Sequence, residues 1–504
     1  MEKKNQTILE WYREHQKRID APCGGNGVCG KCKVRFKKEA PMPTIREREL
    51  LTAIELENNI RLACICSMPV GKMAVLEPVG EFWNKNKIEE ASIQKIGDKK
   101  EDEIGKCLHA AKTYGIAIDI GTTTLVMSIV NLLNGHTIGT VTELNPQRMY
   151  GADIMTRIRA ANEGSLKMLQ STVKKALEEM VECLLKQCNV RGSQVKKVAI
   201  VGNTTMLHLL CGYSCEGLGR APFTPVSLSM QTFRAEDWQA KFAKDALIYV
   251  LPGISTFVGA DIVAGIYACD MDRKDEVGML VDIGTNGEMV IGSRQGFFVA
   301  STAAGPVFEG GTISCGMPAI PGAITHLTYQ NDKWQYDCLG KKIPQGICGS
   351  GLIDLLAELY RNHMMDENGT LADVYFENGC EIVSESKIII RQSDIRELQM
   401  GKSAIRTGIE ILKGRIKPQY LYVAGSFGEG IKTKSAVAVG IFDTEDAQYL
   451  KVVGNTALEG AKKFLLDKDG EERLGRIVEG AKEIVLAKEP DFEDMYICNM
   501  QFAD

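Results

Sequence analysis

Cys23-Gly-Gly-Asn-Gly-Val-Cys29-Gly-Lys-Cys32 sets three thiols within ten residues, on a stretch that also carries Gly24, Gly25, Gly27 and Gly30. A fourth thiol, Cys64, follows 32 residues later, with Cys66 just beyond it. Thiolates this close together are soft metal ligands. The glycines allow positive φ and turn backbone N–H groups toward an anion such as inorganic sulfide. An iron–sulfur cluster suits this arrangement. The competing reading is a zinc ion, which ordinarily takes two CxxC-type pairs where Cys29/Cys32 is the single one present. Leu62-Ala-Cys64-Ile-Cys66 leaves two candidates for the last ligand, because alternation along an extended chain puts both thiols on one face.

A second set of residues points to phosphate chemistry. Asp119-Ile-Gly-Thr-Thr-Thr lies between two apolar runs, and Asp282-Ile-Gly-Thr-Asn-Gly-Glu288 repeats the layout 163 residues later. Each offers a carboxylate for hydrated Mg2+, then a tight turn whose N–H groups and hydroxyls suit phosphate oxygens. A lone motif of this kind is equally well an ordinary hairpin turn; the repeat is what gives it weight. Val423-Ala-Gly425-Ser426-Phe-Gly428 adds a small-residue turn that lets an adenosine approach closely. Glu288 reads either as an acid supporting Asp282 or as an exposed strand glutamate. Gly401-Lys-Ser403 is not a Walker loop, since the earlier glycine it needs is Arg396. His208, at an apolar helix start, reads as a core histidine rather than a ligand. Gly305-Pro-Val-Phe-Glu309 and similar glycine-rich strings have no nucleotide role assigned.

The elements that must position these residues fall into two textures. Up to about residue 84 the chain is a small cysteine- and glycine-rich unit: a helical segment Thr7–Arg18, a strand Cys32–Phe36, a helical stretch Arg46–Glu57 and an extended piece Lys72–Glu77. Residues 85–112 are mostly Lys, Glu, Asp and Gln, which reads as a solvated linker. Such a tether predicts a cluster module that does not pack against the larger domain. From 113 to 504, Ile- and Val-rich strands alternate with amphipathic helices such as Thr172–Gln187 and Asn455–Leu466, the pattern of an α/β fold.

Bulk composition narrows the function classes. The 504 residues carry 60 basic and 65 acidic side chains, for a net charge of −5, with 44% hydrophobic residues. That length predicts about two to four domains, and the charge balance gives no reason to expect nucleic acid or a membrane surface as a partner. No apolar run reaches the ~18 residues of a membrane span, and the charged N-terminus has no signal-peptide stretch. The protein is expected in the cytoplasm. There, sixteen cysteines are not disulfides; scattered ones such as Cys183, Cys211 and Cys269 read as small buried hydrophobes.

The cysteine spacing resembles the C-x4-C-x2-C…C of plant-type ferredoxins with one extra residue in the first gap, as in the adrenodoxin-like pattern. That resemblance covers roughly residues 7–80, implies a 2Fe-2S cluster on Cys23, Cys29 and Cys32, and favours Cys64 as the fourth ligand because it follows a Leu-Ala pair. Ferredoxin domains normally open with a β-hairpin, whereas this chain starts almost at the helix, so its small sheet is expected to be shortened or completed from elsewhere.

The Asp-Ile-Gly-Thr repeat resembles the ASKHA superfamily of acetate and sugar kinases and actin, whose two ribonuclease-H-like lobes (here about 113–275 and 276–504) clamp ATP. It implies that Asp119 and Asp282 orient Mg2+ and water. Gly121, Thr122 and Thr123 would form one phosphate loop, and Gly284, Thr285 and Asn286 the other. Gly425, Ser426 and Gly428 would line the adenosine pocket.

A ferredoxin-like module before a two-lobed ASKHA fold, with the strings GADIMTRI, GNTTMLHLL, VDIGTNGE, ISCGMP and GICGSGLID, resembles the reductive activators of corrinoid proteins, the RACE family. The resemblance implies ATP-dependent transfer of one electron from the cluster to Co(II) in a corrinoid protein, giving Co(I). It also implies a low-potential donor such as a ferredoxin or flavodoxin, and it leaves a homodimer open. Plant-type clusters sit near roughly −400 mV and the corrinoid Co(II)/Co(I) couple generally lies lower. Each ~100 mV of uphill transfer costs about 2.3 kcal/mol per electron, which gives ATP a role. The alternatives are a small-molecule kinase of the same superfamily, marked by a phosphorylated product, and an ATP-switched redox sensor or chaperone, marked by binding without corrinoid turnover.

Overall fold

The computed structural model describes residues 6–37, 39–67, 76–79, 113–238, 245–425 and 430–502. The linker expected over 85–112, most of the extended piece at 72–77, and Ser426 and Gly428 lie outside the described residues. The chain divides into two compact units, one of residues 1–198, 205–227 and 233–248, the other of 199–204, 228–232 and 249–504.

The N-terminal module in the first unit is built from α1 (Ile8–Glu14), β1 (Lys33–Phe36), α2 (Ile45–Leu50), α3 (Ala53–Glu57), β2 (Ile60–Leu62) and β3 (Leu76–Pro78), with a three-stranded sheet in the order β2-β1-β3. The single helix expected over 46–57 is two, because Thr44 and Thr52 each form a capping box, with Glu47 and Glu55. A cap satisfies backbone donors that have no partner within the helix, so the second box starts a new helix. Glu47 also reaches across the module: its buried carboxylate accepts from Leu62 N at 2.9 Å.

From residue 114 onward come β4 (Tyr114–Ile120), β5 (Thr124–Asn131), β6 (Thr137–Leu144), α4 (Ile154–Ala160), α5 (Leu166–Gln187), β7 (Val195–Gly202), α6 (Thr204–Cys211), β8 (Gln231–Arg234) and β9 (Leu247–Val250). Their sheet has the order β6-β5-β4-β7-β9-β8. On α5, Leu169, Val173, Ala176, Leu177, Met180, Val181 and Leu184 are buried, the three-and-four spacing of one helix face.

The second unit repeats the plan. After α7 (Ala260–Ala268), β10 (Gly278–Ile283), β11 (Gly287–Ser293) and β12 (Gly296–Thr302) form an antiparallel meander. Smaller sheets come next: β13 (Ala323–Gln330), β14 (Lys333–Cys338) and β15 (Gly346–Ile347), then β16 (Cys380–Val383) with β17 (Ile388–Ile390). Finally β18 (Tyr420–Ala424), β19 (Leu450–Gly454) and β20 (Ala481–Glu483) complete the order β19-β18-β10-β11-β12-β20. Both large sheets thus place a three-strand meander beside later strands, the duplicated α/β arrangement expected.

Gly401-Lys402-Ser403 lies inside the helix Gln392–Arg415, with Lys402 and Ser403 buried, so it forms no loop around a phosphate. His208 is a core residue whose Nε2 accepts from Val226 N at 3.0 Å. Among the described residues, no helix is long and apolar enough to cross a membrane.

Candidate functional site: a four-cysteine loop and two aspartate turns

Strand pairing explains how cysteines 32 residues apart meet. β1 begins directly after Cys32, β2 ends two residues before Cys64, and Lys33 pairs with Leu62 in antiparallel register. Ala63 N donates to Cys32 O at 2.8 Å, and the Sγ atoms of Cys32 and Cys64 are 3.3 Å apart. Gly24, Gly25, Gly27 and Gly30 all have positive φ, as the loop reading requires. Arg46 Nε donates to Gly27 O at 3.0 Å, tying the loop to α2.

Cys23 and Cys29 hydrogen-bond through their side chains. That bond, with backbone donors at Val28, Gly25 and Cys29, pushes the Cys23 thiol down to about 4. The same bond and burial push Cys29 up. Cys32 is likewise raised by its bond to Cys64 and by burial, while Cys64 is lowered by Cys32. The donor set is therefore two thiol pairs, Cys23/Cys29 and Cys32/Cys64. A 2Fe-2S centre needs two thiolates on each of two irons, so the residues fit it. Among the described residues, no group of three or more His, Cys, Asp or Glu side chains is arranged to hold a single metal ion.

Residues 63–65 form a turn rather than the expected extended segment, with Ile65 N and Cys66 N both donating to Leu62 O. Cys64 and Cys66 therefore do not share a face. Cys66 is buried, its Sγ lies 3.8 Å from Ser67 O, and burial pushes its thiol up to about 11.

The module packs against the segment 143–152, contrary to the tether expectation. Arg13 donates to Met149 O from both Nε (3.2 Å) and Nη2 (2.6 Å), and its guanidinium lies 4.8 Å from the Tyr150 ring centroid. Arg18 pairs with Glu143 and Glu179, and Ala152 N donates to Pro22 O at 2.9 Å. The sequence could not reveal these partners, which are separated by more than a hundred residues.

Asp119 is the penultimate residue of β4, and the turn Gly121–Thr123 joins β4 to β5. The turn is braced from one side: Asn145 Nδ2 donates to Gly121 O at 2.9 Å, Asn145 N to Thr123 O at 2.8 Å, and Arg157 Nη2 to Thr122 O at 2.6 Å. In a trans peptide the N–H points opposite to the C=O. Tying these carbonyls back therefore turns the N–H groups of Thr122 and Thr123 away from Asn145 and Arg157, as a phosphate loop needs.

Asp282 holds the matching place in β10, but the two turns differ. Opposite Asp119 stands Val126, whereas opposite Asp282 stands Glu288. Glu288 is buried, which rules out the exposed-strand reading. Burial, then the nearby Asp261 and Asp282, hold its carboxyl well above the usual range. Asn286 Nδ2 donates to Glu288 Oε1 at 3.1 Å, and Thr285 Oγ1 donates to Glu309 Oε2 at 2.8 Å. Gly425 follows β18, whose Ala424 pairs with Asp282. Asn145, Arg157, Asp261 and Glu309 were missed from sequence. For Glu309 the signal was the Gly305–Glu309 string; Asp261 carried none.

Fold and site together define a ferredoxin-type module joined to a duplicated ASKHA-type α/β fold. Three family descriptions match the chain in succession: a 2Fe-2S iron-sulfur cluster binding domain over residues 1–69, the RACo middle region over 114–274, and the C-terminal domain of RACo, the ASKHA domain, over 276–504. The corrinoid activation enzyme RamQ of Eubacterium limosum is 27% identical over 561 residues, covering 96% of this chain and 94% of RamQ. A Co(II) methylated amine-specific corrinoid protein reductase of Methanosarcina barkeri is 25% identical over 77% of each chain. The solved structure of a reductive activator for corrinoid, iron-sulfur protein matches with a TM-score of 0.73 at 25% identity, over 99% of this chain and 96% of that one. The chain belongs to the family of reductive activators of corrinoid proteins, as its motifs led us to expect.

Proposed function

We propose that this protein is an ATP-dependent reductase of a corrinoid protein, transferring one electron to Co(II) to give Co(I). The observation that carries this reading is the union, in one chain, of the paired cysteines Cys23/Cys29 and Cys32/Cys64 with two Asp-Ile-Gly-Thr turns. A kinase has no use for the first, and a simple electron carrier has none for the second.

On this reading residues 1–84 carry the electron, 85–112 link the module to the rest of the chain, and 113–504 bind ATP in lobes 113–275 and 276–504. When bound, a 2Fe-2S centre supplies one electron at low potential; Cys23, Cys29, Cys32 and Cys64 would hold it. Asp119 and Asp282 orient hydrated Mg2+ and the attacking water. Gly121, Thr122 and Thr123, with Gly284, Thr285 and Asn286, take the phosphates, and Gly425, Ser426 and Gly428 line the adenosine pocket. A cytoplasmic low-potential ferredoxin or flavodoxin restores the electron, and a homodimer is compatible with all of these roles.

The test is direct. Full-length protein, a strong one-electron reductant and Mg-ATP should convert a cognate Co(II) corrinoid protein to Co(I), read as the gain of a sharp near-ultraviolet band. Equal conversion without ATP would overturn the coupling.

A further inference from the structure

Two arginines grip neighbouring carbonyls of one short segment. On the cysteine-loop side, Arg13 holds Met149 O and at the same time donates to Gly24 O at 2.9 Å. On the aspartate-turn side, Arg157 donates from Nε to Gly151 O at 2.9 Å and from Nη2 to Thr122 O at 2.6 Å. Arg157 is 0% exposed and is among the largest fully buried side chains. A buried guanidinium is retained at considerable desolvation cost unless its donors are satisfied, and its planar fork fixes the positions of what it binds.

The segment leaves little slack between the two arginines. A Cβ on Gly24 would lie 2.8 Å from Thr156 Cγ2 and 3.0 Å from Tyr150 O, so the cysteine loop sits directly on this segment. A Cβ on Gly151 would lie 2.5 Å from the same Thr156 methyl. Thr156 is fixed in turn by Asp153, through its N–H at 2.8 Å and its hydroxyl at 2.6 Å. Packed contacts of this kind shift between discrete arrangements rather than absorbing a displacement smoothly.

From this geometry we infer that Arg157 is a positioning residue that links the Gly121–Thr123 turn to the seat of the cysteine loop, and that phosphate bound at the turn loosens that seat. The inference rests on the proposed nucleotide role of the turn. Its physical basis is competition. Arg157 divides its donors among Thr122 O, Gly151 O and the Met206 sulfur, and an anion arriving at the turn draws the guanidinium toward Thr122. The hold on Gly151 weakens, and with it the Tyr150–Thr156 surface under Gly24 and the Ala152–Pro22 hydrogen bond. Linkage requires the reverse effect of equal size: a seated module disfavours nucleotide.

The test is amide hydrogen exchange on the full-length protein, with and without a Mg2+ complex of a non-hydrolysable ATP analogue, and with binding followed separately by calorimetry. Nucleotide should speed exchange at Ala152 and Gly24 by about tenfold, within the usual span of coupling between sites. In Arg157→Gln that response should shrink to less than about twofold. In Arg13→Ala, which leaves the aspartate turn untouched, exchange at Ala152 should be fast with or without nucleotide, and the affinity for the analogue should rise. Unchanged or slower exchange in the wild type despite measured binding overturns the link and leaves the proposed function standing. No measurable binding overturns both. If Arg157→Gln fails to fold, an unchanged analogue affinity in Arg13→Ala is by itself enough to reject the link.

Discussion

Asp282 and Glu288 stand directly opposite each other across β10 and β11, and the buried Glu288 keeps its proton well above the usual carboxylate range. Burial is the main cause, and the neighbouring Asp261 and Asp282 reinforce it. A second anion beside Asp282 would compete with it for a cation and repel phosphate; a protonated Glu288 does neither. Burial thus favours the neutral form of Glu288 beside Asp282.

That relationship has a stability consequence whose sign is set by linkage. A carboxyl with a raised folded pKa binds its proton more tightly folded than unfolded, so its contribution to stability falls as pH rises from about 4.3 toward the folded value. Glu288→Gln keeps an acceptor for Asn286 and removes the titration. In Mg2+- and nucleotide-free buffer the variant should melt higher than wild type, by about 2–4 °C for each kcal/mol relieved, with a wider gap at pH 8 than at pH 5. Calorimetric scans at the two pH values check this. A gap that does not vary with pH rejects the protonated assignment.

Asp119→Ala and Asp282→Ala should each lower ATP turnover by about a hundredfold or more, since removing a metal-orienting carboxylate forfeits several kcal/mol of transition-state stabilisation. The visible and EPR spectra of the cluster should be unchanged in both. Turnover within a factor of about three of wild type in either variant would remove that aspartate from the mechanism.

Anaerobically purified protein should contain about two irons and two sulfides per chain and show a rhombic EPR signal on one-electron reduction. Serine at Cys23, Cys29, Cys32 or Cys64 should abolish the signal. Cys66→Ser should leave it nearly intact, because Cys66 is buried and its Sγ is turned toward Ser67 O. Stoichiometric zinc without iron in freshly isolated protein would sink the assignment.

Much of this was legible in the sequence because the signals were local. The cysteine loop and the two Asp-Ile-Gly-Thr turns each occupy ten or fewer consecutive residues, and glycine with β-branched strand residues marks them. What was not legible depends on distant partners. Arg157 lies in the string GADIMTRI, but only the fold shows that it bridges Gly151 and Thr122. Arg13 reads as a helix-surface charge until Met149 is brought to it. The same holds for Cys66: alternation placed it beside Cys64, but the two hydrogen bonds to Leu62 O curl the chain and separate them.

Gly425 offers the sharpest test of the second turn. Its φ is +102°, a conformation that side chains rarely adopt, and an added Cβ would lie 2.5 Å from Ile283 O and 2.9 Å from Asp282 Oδ1. Neither neighbour can yield easily, since Ile283 O is backbone at the end of β10 and the Asp282 carboxylate is the group proposed to face the metal. Gly425→Ala must therefore push β18 away from β10 or turn Asp282 aside. Either displacement should weaken Mg-ATP binding by about tenfold or more, equivalent to ~1.4 kcal/mol, and lower the melting temperature through backbone strain of about 1–3 kcal/mol. Gly414, where an added Cβ meets nothing within 4 Å, provides the control: Gly414→Ala should leave nucleotide affinity unchanged. Calorimetric titration of the three proteins with Mg-ATP decides the matter. Wild-type affinity in Gly425→Ala would show that this turn does not face the nucleotide.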